Sequence, residues 1–105
     1  MDNVFSIGFM HSVNQSRVTE IFEVRNGRIF LDAVEFEAFG AGMPTELGPG
    51  QTMTRLDGGV IRIDGFNRMI GDLRLLVGED TAHTLQIGDL VVPLKPGPVI
   101  FTVER

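Results

Sequence analysis

The chain contains no cysteine, which removes disulfides, thiolate metal sites and a cysteine nucleophile together and leaves the redox compartment open. Basic residues are few, nine Lys and Arg against fourteen Asp and Glu, for a formal net charge of −5. Neutralising a phosphate backbone needs a basic stripe, and these nine are scattered, so the composition argues against nucleic acid as a partner. Long apolar runs are missing too. None approaches the ~20 residues that span a bilayer, and Met1-Asp2-Asn3 does not begin a signal peptide. The residues as given read as soluble, and their localisation stays unknown.

What is present fits one globular domain over residues 1–105, with 43% hydrophobic and 22% charged residues. Phe5, Ile7, Phe9 and His11 alternate with Ser6, Gly8 and Met10, the period-two pattern of a half-buried strand. Val18, Glu20, Phe22 and Val24 share a face in the next segment, and Arg25-Asn26-Gly27-Arg28 carries the type I′ signal of a two-residue hairpin. Asp32 and Glu35 resemble a helical capping box, but the alternation Val34, Phe36, Ala38 over so short a segment favours a strand.

Beyond Pro44, turn signals recur about every ten residues, leaving room only for strands. They are Gly48-Pro49-Gly50, Asp57-Gly58-Gly59, Gly65, Gly71, Gly78-Glu79-Asp80, Gly88-Asp89 and Pro96-Gly97-Pro98. Pro93 cannot donate to a central ladder, so Leu90–Leu94 is expected at a sheet edge or at a bulge. The fold class is all-β, an antiparallel β-sandwich or partly open β-barrel of about eight or nine short strands.

Few residues invite chemistry. His11 and Glu20 fall on the same face of two neighbouring strands, and pairing His11 with Val18 makes Glu20 its diagonal neighbour, predicting a His–Glu hydrogen bond. His83 lies on an apolar stripe with Leu85 and Ile87, so His11, Glu20 and His83 form a nominal two-His, one-carboxylate set, without any local metal-ligand motif. Ser12 follows His11 but alternates to the other face, and no G-x-S-x-G elbow exists. In Phe39-Gly40-Ala41-Gly42-Met43-Pro44, the glycines either aim backbone N–H groups at an anion or permit positive φ where the chain leaves the sheet. The acidic turns are explained by turn chemistry, and nothing implies a metal or cofactor.

Taken together, Phe9-Met10-His11-Ser12-Val13, Glu20, Phe22, Phe36, Phe39-Gly40-Ala41-Gly42-Met43-Pro44 and His83-Thr84-Leu85 resemble a small prokaryotic family, domain of unknown function 1850. The resemblance covers nearly the whole chain. Asn14 stands where an acidic residue is common, and Met43 where leucine is usual. The resemblance implies an accessory role beside tripartite TRAP transporters of the TAXI type, with an N-terminal tether outside the cytoplasmic membrane. The expected function is that of a non-enzymatic binding or accessory module whose partner is a TRAP transporter component or its solute. Its candidate binding residues are His11, Ser12, Glu20, Phe39, Gly40, Gly42, Met43, Pro44 and His83. The alternative is a small metal-dependent or hydrolytic enzyme using His11, Glu20 and His83.

Overall fold

A strand buries every second residue on one face, and this chain uses that rule to build one broad sheet with a ribbon across part of its inner side. In the computed structural model, residues 3–11, 16–37 and 47–103 are described. Nine strands lie among them: β1 Val4–His11, β2 Ser16–Arg25, β3 Arg28–Glu37, β4 Thr52–Arg55, β5 Val60–Gly71, β6 Leu73–Val77, β7 Thr84–Ile87, β8 Leu90–Pro93 and β9 Gly97–Phe101. Seven form a sheet in the order β4-β5-β3-β2-β1-β7-β8, while β6 and β9 pair as a separate ribbon. Every pairing is antiparallel. The architecture is sandwich-like, and its large sheet does not close into a barrel because β4 and β8 remain at opposite edges.

The core follows from the alternation. Ile7, Phe22, Ile29, Leu31 and Leu73 form the buried cluster, with Phe5, Val24, Leu75, Leu85, Phe101 and Val103 packed against it. Phe5 stacks between Phe22 at 5.2 Å and Phe101 at 6.0 Å, so one aromatic column joins the sheet to the ribbon. On the ribbon, Leu73 and Val77 are buried while Leu76 and Ile100 stay exposed.

The β2–β3 hairpin turns at Asn26 and Gly27, whose φ values of 51° and 73° are the two positive angles a type I′ turn requires. Segment 32–37 is strand, as its alternation predicts, and not helix. β8 is an edge strand, the position Pro93 requires.

Gly65 departs from expectation. It is not a turn between strands but lies within the twelve-residue β5, where the pairing with β3 jumps from Ala33↔Asp64 to Leu31↔Arg68. With φ at +87°, Gly65 bends the strand so closely under the 48–51 turn that an added Cβ would sit 2.2 Å from the Gly50 carbonyl oxygen. Backbone cannot yield there as a flexible side chain would.

Gly65→Ala is therefore expected to destabilise the protein by about 2–4 kcal/mol, from positive-φ strain and steric overlap together. Gly58→Ala, at similar φ with open space around it, should cost about 1 kcal/mol. Urea unfolding of the two variants checks the difference, and equal losses would contradict the close approach.

Candidate functional site

The inner face of the sheet carries the sequence-derived candidates that fall within the described residues. β1 and β2 pair as Phe5↔Phe22, Ile7↔Glu20, Phe9↔Val18 and His11↔Ser16. His11 is thus opposite Ser16, not Val18, and this overturns the expected His11–Glu20 contact. Both residues do share the face. They stand two same-face steps apart, roughly 13 Å at a strand rise of ~3.3 Å per residue, with the Phe9↔Val18 rung between them. The observed register of the two strands decided this.

Glu20 instead lies between Ile7 of β1 and Val34 of β3. It is half-buried, and this burial pushes its carboxyl above the ordinary 4.5. His11 is exposed at the end of β1.

His83 is buried. Its ring stacks on Phe9 with centroids 5.1 Å apart and planes 14° from parallel. Thr81 Oγ1 stands 2.7 Å from His83 Nδ1 and also accepts from the Gly78 N–H at 3.1 Å. The Met10 N–H donates to the Thr81 carbonyl at 2.7 Å, and the Leu94 N–H to the His83 carbonyl at 2.9 Å. His83 is therefore built into a seam tying β1 to the segment just after β8, and its burial pushes the imidazole below the ordinary 6.5.

Among the described residues, no three His, Asp or Glu side chains gather closely enough to hold a metal ion, the set His11, Glu20 and His83 included. Ser12, Phe39, Gly40, Gly42, Met43 and Pro44 lie outside the described residues. What arrangement the structure does give is an isolated carboxylate on an apolar face, a neutral-favouring histidine in a structural seam and an exposed histidine beyond it.

The opposite face is polar. Arg62 donates to Glu35 at 2.8 Å and to Asp64 at 2.9 Å, and these partners, Asp64 first, raise its pKa further. Arg25 bridges Glu23, Asp32 and Asn67 while its guanidinium lies 4.5 Å from the Phe30 ring centroid. The sequence reading followed the apolar stripe and so passed over this face. Its one signal was Gly8, an isolated glycine inside a strand pattern, which marks a close approach by another group.

The two displaced titrations have opposite signs. The proton that Glu20 holds more tightly when folded contributes stability fully below 4.5, and that contribution is lost as pH rises through the raised folded value. Glu20→Gln should thus be more stable than the parent at neutral pH and indistinguishable from it below 4.5. The contribution of His83 is present above 6.5 and lost as pH falls through its lowered folded value, so His83→Phe should flatten the acid side of the stability profile. Urea melts across pH 4 to 8 test both, and a parallel loss in parent and His83→Phe below 6.5 would contradict the second.

No curated protein and no solved structure matches the chain. Residues 5–94 match the family described as Domain of unknown function (DUF1850). That span runs from the first core phenylalanine to the residue hydrogen-bonded to His83, and so takes in eight of the nine strands. The chain belongs to the DUF1850 family.

Proposed function

We propose that the domain is a non-enzymatic accessory module that docks a protein partner along β8, and that this partner is a component of a TAXI-type TRAP transporter. The observation that carries the docking reading is the exposure of the β7–β8 hairpin: Leu90 is 61% exposed, Val91 54%, Val92 37% and Ile87 45%. A cluster of large apolar side chains on a projecting edge gains little from intramolecular packing and much from a partner. The transporter as partner rests on the family resemblance alone.

The hairpin also defines what the edge offers. Gly88 and Asp89 form the turn that Ile87↔Leu90 closes, and the Leu94 N–H bonds back to the His83 carbonyl. Even-numbered residues of β8 therefore direct their backbone groups toward β7, while Val91 and Pro93 direct theirs outward. Pro93 has no N–H, so β8 presents one outward donor, that of Val91. Beside the hairpin, Phe5, Val24, Leu85, Ile87, Phe101 and Val103 line an open apolar groove of ≈ 330 Å³. A partner strand laid along β8 would reach this groove with its side chains.

Val91→Pro removes the outward donor without breaking a bond inside the sheet, an exchange that edge strands tolerate. Binding of the purified domain to the TAXI-type solute-binding protein and to its detergent-solubilised permease, measured by biolayer interferometry, is expected with one of the two. Val91→Pro should weaken it by about tenfold, the equivalent of one hydrogen bond at an interface. Absence of binding to both components overturns the transporter assignment, and binding untouched by Val91→Pro overturns the edge.

A further inference from the structure

Arg28 opens β3 directly after the Asn26-Gly27 turn, and Asp72 is the single residue between the end of β5 and the start of β6. The register sets them at one level. Ile29↔Gly71 is the terminal rung of the β3–β5 ladder, so Arg28 and Asp72 each lie one step beyond it. Gly71 takes a φ of 79° there, and the chain leaves the sheet for the ribbon. Where the two strands part, a hollow of ≈ 320 Å³ is lined by Gly27, Arg28, Met69, Gly71, Asp72 and Val103.

Arg28 and Asp72 thus face one space with opposite charge, yet they form no ion pair with each other. Other cations of the polar face are used differently. Arg25 and Arg62 are each held by two carboxylates, and Arg17 lies over Gly8, where an added Cβ would be 2.6 Å from its Nη2. Arg28 is opposite Arg25 in the β2–β3 ladder, and repulsion between like charges on one rung favours a course away from that neighbour. It reaches over β5 instead. Its Nη1 donates to Met69 Sδ at 3.6 Å, a weak acceptor, and no carboxylate of a described residue meets the rest of its fork. The Asp72 carboxylate is exposed and likewise has no cation partner among the described residues.

We infer that this hollow is a binding site for a zwitterionic α-amino acid with an apolar side chain, its carboxylate on Arg28, its ammonium on Asp72 and its side chain against Met69 and Val103. Charge selects the zwitterion. A simple anion gains from Arg28 but is repelled by Asp72, and a simple cation meets the reverse, whereas a zwitterion answers both walls at once. The guanidinium fork matches a carboxylate bidentately, and an ammonium has three donors to offer Asp72. Apolar contact is available too. Met69 is 52% exposed, a thioether that adapts to whatever covers it, and Val103 is already packed against the core. The volume is near the lower end for ligand pockets, which suits a single amino acid better than a peptide. The site needs no protein partner, so its failure would leave the β8 docking reading standing.

The test is an NMR titration of the intact domain with L-leucine, set beside L-leucinamide, which lacks the carboxylate, and isocaproate, which lacks the ammonium. Leucine should shift the amide resonances of Arg28, Met69, Asp72 and Val103 saturably, and both analogues should bind more weakly. Arg28→Gln and Asp72→Asn should each lower leucine affinity about fivefold, the loss of one partly exposed charge-assisted pair. Both side chains are exposed, so the urea midpoints should stay at the parent value. Absence of a saturable leucine response in the parent overturns the proposal. An analogue that binds as tightly as leucine overturns the zwitterion, because apolar contact alone would then account for binding. Leucine affinity unchanged in both variants overturns the two charged contacts.

Discussion

The rule that a strand faces alternate sides with alternate residues would defeat this sheet if it held without interruption. β2 keeps a strict phase, with Val18, Glu20, Phe22 and Val24 all inward. Its neighbour β3 pairs Val34 and Phe36 with the first part of that run, but Leu31 and Ile29 with the second. Even and odd residues of one strand thus serve the same core. The extra residue is Asp32, set where the register shifts between Ile21 and Phe22. Without that bulge, Ile29 and Leu31 would turn to solvent, and the cluster they form with Ile7, Phe22 and Leu73 would lose two of its five members. The bulge also has a polar use, since Asp32 meets Arg25, which ties Glu23 and Asn67 into the same corner.

β5 faces the same problem one strand further out and answers it with more residues. Gly65, Phe66 and Asn67 intervene where β3 advances from Ala33 to Leu31, and both Gly65 and Asn67 take positive φ. The strand kinks enough for Phe66 and Ile70 to reach the core beneath the ribbon. Irregularities in adjacent strands are therefore coupled: the ladder between β3 and β5 stays paired on either side of a shared corner.

How far the residues announced all this depends on which quantity is asked of them. Alternation names the face, and it named it correctly for Phe5, Ile7, Phe9, Val18, Phe22 and Val24. It does not name the rung. His11 and Glu20 were rightly put on one side of the sheet and wrongly made neighbours, because the register depends on how many residues the connecting loop consumes. Asn26-Gly27 and Pro93 were legible because their backbone restrictions are local. Gly65 misled for the same reason that it mattered: a glycine at positive φ serves a turn and a strand kink equally, and only the Gly50 carbonyl pressed against it separates the two. The polar face was hidden because no apolar pattern leads to it, and an arginine lying on a glycine is invisible until both strands are paired.

The proline in β8 bears on the kind of recognition this edge permits. An open strand with a full row of donors accepts almost any extended chain, since the backbone is common to all sequences. Here the row is cut to a single N–H, and what is left on offer is the shape of Leu90, Val91 and Val92 with the groove beside them. Any partner docked on this edge would have to be told apart by side chains, and copies of the same sheet have little to gain by stacking edge to edge into a growing fibre.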